Sequence, residues 1–199
     1  VTKSSSVFGV LLVANLTGTV LLTVCALWAG SPVPDLYSLI FGGLAGLAGL
    51  VGLGSFYKGL AIDHMGLVAS LTAVISAALP VLFGMLIEGF PSNLQLAGFA
   101  AAFVAIWHLS VSEKYATIQW RQLRFPAAAG LGFGLAFIFY DQAVQHSVLG
   151  PLIASKIVGI IALIIILKIF RIGAMPHKHK YPLICFTGFF DAAGTAFYA

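Results

Sequence analysis

Seven apolar runs, each close to the length of a bilayer-crossing helix, dominate this sequence. Val7 to Ala29 is 23 residues without a charge. Tyr37 to Ala61, Gly66 to Ile87, Asn93 to Ser112, Phe125 to His146 and Val148 to Phe170 follow it. Pro182 to Ala199 supplies a seventh run of 18 residues, read as a truncated span. A helix crossing the hydrocarbon core needs about 20 largely apolar residues. Backbone amides in lipid must be satisfied within the segment or within a closed barrel. The sequence therefore predicts an all-α integral membrane protein, a polytopic bundle of seven spans. The first run has too long an apolar core for a signal peptide, and no Ala-x-Ala site follows it.

Charge supports the same class. Ten Lys or Arg and six Asp or Glu are all the formal charges on 199 residues, of which 60% are apolar. A soluble domain is usually roughly a quarter charged. So few charges exclude a water-facing surface, and with it a soluble enzyme, a disordered segment or a nucleic-acid-binding protein. If the spans alternate, Lys3, Lys58, Lys114, Arg121, Arg124, Lys168, Arg171, Lys178 and Lys180 all fall on one face, and the opposite loops carry no Lys or Arg. That bias predicts a cytoplasmic basic face in a cell membrane, inner or plasma, with the bilayer itself as a partner. The run His177-Lys178-His179-Lys180 reads as a topogenic loop in contact with headgroups rather than a metal or nucleic-acid site. Cys25 and Cys185 read as small core residues.

Within the runs, glycine is concentrated in two places. Gly42, Gly43, Gly46, Gly49, Gly52, Gly54 and Gly59 punctuate the second, and Gly130, Gly132 and Gly134 the fifth. Small residues at such spacings let helices approach closely in lipid, where no hydrophobic effect drives them together. The same faces would also let helices slide. Pro80, inside the third run, removes a backbone donor near mid-span and marks an expected kink beside Ser76.

Polar groups at depth carry the functional reading. A charge at the bilayer centre costs at least ~2.5–3.5 kcal/mol on insertion scales, so it faces a partner or a cavity. Lys156 and Asp191 lie near the middle of the sixth and seventh runs, and Asp141 lies nearer the end of the fifth. Lys156 has either carboxylate as a candidate partner. The group is either a buried ion pair that sets helix register or the lining of a pathway. Asn15, Tyr57 and Tyr140 join it as uncharged polar residues in the spans, and Gln142 flanks Asp141. His108 reads as interfacial, and Glu88 as a helix-end residue on the face without basic charge. No catalytic or metal-binding motif is present. No enzymatic activity, cofactor or metal is expected.

An internal repeat follows from one offset. Gly54-Ser55-Phe56-Tyr57 and Thr195-Ala196-Phe197-Tyr198 align 141 residues apart, and the same offset sets Lys156 over Asn15. Five spans separate the aligned helices, so the two copies would run in opposite directions, as an inverted repeat.

The stretch Gly46 to Ser112 resembles EamA-like ten-helix transporters of the drug/metabolite transporter superfamily. A Gly-rich helix ends in Phe56-Tyr57-Lys58-Gly59-Leu60, and Gly66-Leu67-Val68-Ala69-Ser70, Pro80, Glu88 and Leu96-Ala97-Gly98 follow in the family's order. Ile87-Glu88 stands where the family has Gly-Glu, and Gly188 to Gly194 resembles the matching helix of the second repeat. The resemblance implies a first repeat over 1–112 lacking its first helix, and the start of a second over 125–199. The chain begins at Val1 and ends in an apolar run, which fits a piece cut at both ends. One missing helix ahead of Lys3 would put the N-terminus outside under the charge-derived orientation, whereas ten-helix members keep both termini inside. The implied activity is movement of small metabolites or drugs; alternating access is the expected cycle, and the carboxylates at depth motivate proton coupling as a hypothesis. Asn15, Tyr57, Tyr140, Asp141, Lys156 and Asp191 form the expected substrate pathway. The alternative is a membrane assembly or sensor component without a transport cycle.

Overall fold

The computed structural model describes residues 7–62, 65–87, 89–111, 120–145, 147–170 and 181–198. Among them are seven helices and no strand: α1 Val7–Trp28, α2 Leu36–Ile62, α3 Met65–Ile87, α4 Asn93–Val111, α5 Trp120–Ala143, α6 Leu149–Phe170 and α7 Tyr181–Tyr198. Each coincides with one predicted run; α5 is shifted furthest, by several residues at its start. Among the described residues α1, α2, α3, α5 and α6 are long and apolar enough to cross a membrane. In α7, Asp191 with Thr187, Thr195 and Gly194 dilutes the apolar character, and α4 counts as a shorter apolar helix over Asn93–Ala105. Of the basic-face residues, Lys3, Lys114, Arg171, Lys178 and Lys180 lie outside the described residues, as do Glu88 and the run 177–180, and the side chain of Arg121 is not described.

Helix ends follow local chemistry. α1 stops where Gly30 takes a left-handed conformation, φ 59°. The Ser31 amide then donates to the Ala26 carbonyl at 3.0 Å and the Gly30 amide to Leu27 at 3.4 Å, which closes a Schellman turn. Asp35 caps α2, its Oδ1 accepting from the Ser38 amide at 3.4 Å. Ser92 and Gln95 form a reciprocal capping box at the start of α4, with 2.8 Å from the Ser92 amide to Gln95 Oε1.

The chain divides into two compact units, Val1–Leu47 with Phe139–Ala199, and Ala48–Ile138. In the first, α1 is the common support, packed along both α6 and α7, which touch each other far less. Gly18 of α1 lies beside Lys156 and Asn15 beside Gly159, so α1 and α6 run antiparallel. Gly188 lies on the Ala14 backbone and Ala192 on Gly18, so α1 and α7 run parallel. Gly42 and Gly46 of α2 lie on the backbone of Pro151 and Ser155, so α2 and α6 are also parallel.

In the second unit Gly52 of α2 packs on Phe133 and Gly132 of α5 packs back on Gly52, which makes these helices antiparallel. Gly130 and Gly134 lie on Ile75 and Leu79, so α5 runs parallel to α3. α3 continues through Pro80, whose ring leaves the Ser76 carbonyl without its helical donor. That carbonyl lies 3.3 Å from where a Cβ on Gly134 would sit. Within this unit α2, α3 and α5 thus run in the directions expected of alternating spans.

Candidate functional site

The first unit gathers polar groups that four helices place in an apolar setting. Lys156 projects from α6, and its residue is 6% exposed. Its ammonium donates to Asp191 Oδ2 on α7. Of the two carboxylates that sequence offered as partners, Asp191 holds the lysine. The two ends differ in access: the side chain of Lys156 is 8% exposed and that of Asp191 48%. A cation is thus buried behind a carboxylate that is itself half open.

The path between them runs across α1. A Cβ on Gly18 would lie 3.6 Å from Lys156 Cε, 3.3 Å from Ala192 Cβ and 3.5 Å from the Gly188 carbonyl. The missing side chain at Gly18 lets the lysine stem and α7 approach the same side of α1. Asn15, one turn away, donates from Nδ2 to the Leu11 carbonyl at 2.9 Å, and its Oδ1 faces Gly159. Thr19 and Thr23 bond back to the carbonyls of Asn15 and Thr19 at 2.8 and 2.7 Å, so much of the polarity of α1 is spent on its own backbone.

Tyr140, near the end of α5, closes another side. Its hydroxyl donates to Ser155 Oγ at 2.9 Å, and Ser155 donates on to the Leu152 carbonyl at 2.7 Å. Its ring packs against the cluster of Leu22, Leu152 and Ala192. Through that cluster the ring packs on Ala192 of α7, the residue after Asp191. Asn15 and Lys156 thus share the α1–α6 contact, Lys156 meets Asp191, and Tyr140 bonds Ser155, the residue before Lys156.

Asp141 stands apart from these contacts. It is exposed at the end of α5 and accepts from Gln142 Nε2 at 3.1 Å, while Gln142 Oε1 accepts from the Tyr37 hydroxyl at 3.3 Å. Successive residues on a helix point about 100° apart, so Tyr140 and Asp141 cannot share a face. Tyr57 and Pro80 belong to the second unit, Tyr57 half-buried with its ring centroid 6.2 Å from that of Phe56.

Ser155, Gly18 and Gly159 complete the group and were absent from the sequence reading. The signal for them is the pair Asn15-x-x-Gly18 and Lys156-x-x-Gly159. Two further hydroxyls, Ser38 Oγ and Ser147 Oγ, are buried without a hydrogen-bond partner among the described residues. Among the described residues no group of three His, Cys, Asp or Glu side chains could hold a metal. Chemically, the cluster offers one buried cation for an anionic group and one accessible carboxylate for a cation or a proton. Comparison with family models, curated proteins and solved structures found no match to this chain.

Proposed function

We propose that this chain belongs to a multi-pass transporter that moves small metabolites or drugs across a cell membrane, inner or plasma, by alternating access. The observation that carries the reading is the Lys156–Asp191 pair, with its cation buried and its carboxylate half open. Charges at such depth mark pathways more often than they serve packing alone.

Contacts in the first unit support an inverted repeat of the EamA-like kind. Asn15 and Lys156 are 141 residues apart, and so are Gly18 and Gly159. In the α1–α6 contact each glycine faces the polar residue of the other helix. The flanking helices follow the same exchange. Gly46 of α2 lies on Ser155 of α6; adding 141 to the first and subtracting it from the second gives positions 187 and 14. The observed contact is Gly188 on Ala14, one residue away. A two-fold relation between repeats requires such exchanged contacts. Under this reading Asp191 is the group through which protons would couple.

The test is uptake of a labelled metabolite panel by the full-length protein in proteoliposomes. Movement of at least one solute, lost in Lys156→Gln, supports the reading; a protein that moves nothing across the panel overturns it. The second reading, a static membrane assembly component, draws on the close seating of Gly42 and Gly46 against α6, which suits a fixed contact. It expects no movement of any solute.

A further inference from the structure

We propose that Asp191 is an exchangeable counter-ion for Lys156, and that the substrate displacing it carries one negative group, in the simplest case a carboxylate. This rests on the transport reading and adds to it a substrate class and a role for the carboxylate.

The argument begins with asymmetry. Lys156 is buried, with its stem against Gly18 of α1. Asp191 stands at the open end of the ion pair. A solute reaching the lysine therefore arrives from the carboxylate's side and takes the carboxylate's place. Only an anion can do so without leaving the buried ammonium unpaired. A cation would bind Asp191 but strip Lys156 of its partner.

The ion pair is also built to open. α6 and α7 are each held by α1 and touch each other little, so the two charges can separate while both helix contacts with α1 remain. Among the described residues, Lys156 of α6 is the charged group in contact with Asp191, and α1 presents Gly18 beside the lysine stem. The Tyr140 hydroxyl is already committed to Ser155, which leaves the ammonium as the group that the anion takes over.

A consequence for the transport cycle follows. With no substrate bound, Asp191 closes on Lys156 and the empty carrier carries no uncompensated buried charge, so it can return. Without Asp191 the carrier can reorient only when loaded. Removal of the carboxylate should therefore convert net transport into obligatory exchange.

The experiment uses the full-length protein in proteoliposomes with three labelled probe sets: monocarboxylates of two to six carbons, choline and glycerol. Wild type should move a monocarboxylate out into solute-free buffer. Asp191→Asn should lower that net efflux at least tenfold and retain exchange against unlabelled monocarboxylate outside. Asp191→Glu should restore net efflux. The doubly neutral K156Q/D191N, which strands no charge, should move no monocarboxylate in either mode. If wild type moves choline or glycerol and no monocarboxylate, the transport reading stands and this proposal falls. Net efflux by Asp191→Asn at the wild-type rate overturns it as well. A wild type that moves none of the three sets, nor any solute of the wider panel, overturns the transport reading itself.

Discussion

Lys156 and Asp191 meet over a glycine: the lysine stem passes Gly18 of α1 to reach a carboxylate on a helix that α6 scarcely touches. A Cβ at Gly18 would already be in contact with the lysine stem at 3.6 Å and crowd Ala192 at 3.3 Å, so little room remains there for a larger side chain. That limit makes Gly18 a part of the site beside the two charges.

Substitution of Gly18 tests it. In Gly18→Ala the new Cβ would lie 3.3 Å from Ala192 Cβ, close enough that α7 must shift slightly. In Gly18→Val the added methyls fill the space the lysine stem uses. Overpacking of this kind costs roughly 1–3 kcal/mol. The expected outcome is a graded loss of thermal stability in detergent, small for alanine and several-fold larger for valine. Transport should fall in the same order. Equal stability of Gly18→Val and wild type would remove Gly18 from the site.

The charges themselves form a double-mutant cycle. Breaking a buried pair by neutralising one partner costs roughly 3–5 kcal/mol, because the other charge is stranded. The exposure of Asp191 makes the two singles unequal. Asp191→Asn strands a buried ammonium and should be the more damaging, whereas Lys156→Gln strands a carboxylate that is half open. K156Q/D191N should be more stable than Asp191→Asn alone, with the coupling read from unfolding midpoints.

Asp141 separates depth from direction. It lies one residue from Tyr140 but is exposed and bonded to Gln142. Asp141→Asn should change stability by no more than about 0.5 kcal/mol, as surface substitutions do. Uptake driven by a pH gradient should be unchanged in Asp141→Asn and abolished in Asp191→Asn. If both variants retain it, proton coupling through these carboxylates is wrong.

The elements were legible because run length in lipid is nearly a complete instruction: about 20 apolar residues with satisfied backbone leave helix as the only local answer. Thus Val7 to Ala29 became α1 with its end moved by a single residue. The site was legible in kind, since Lys156 and Asp191 stood out as charges at depth. Its geometry was not. The choice of Asp191 over Asp141 depends on which side of α1 each neighbouring helix occupies, and depth within a run carries no information about azimuth. Ser155 was hidden for a related reason: a serine in a span ordinarily bonds its own backbone, as Ser155 does to Leu152, and its second bond to Tyr140 exists only after packing. For the glycines of α2, spacing announced close approach in general but left open which of them touch another backbone.

Gly46 and Gly54 show that difference within one helix. A Cβ on Gly46 would collide with the Ser155 carbonyl, and one on Gly42 would sit 2.5 Å from the Pro151 carbonyl. Nothing lies within 4 Å of a Cβ on Gly54. Backbone cannot move aside as a side-chain tip can, so Gly46→Ala must push α2 away from α6. The expected loss is about 2 kcal/mol, the middle of the range for overpacked contacts. Gly54→Ala meets no obstruction and reduces the freedom of the unfolded chain, a gain of roughly 0.5–1 kcal/mol. Because Ser155 holds Tyr140 beside the ion pair, Gly46→Ala should also impair transport, and Gly54→Ala should not. Thermal unfolding in detergent and uptake in proteoliposomes measure both effects. A Gly46→Ala protein as stable and active as Gly54→Ala would show that α2 does not seat on α6 at this glycine.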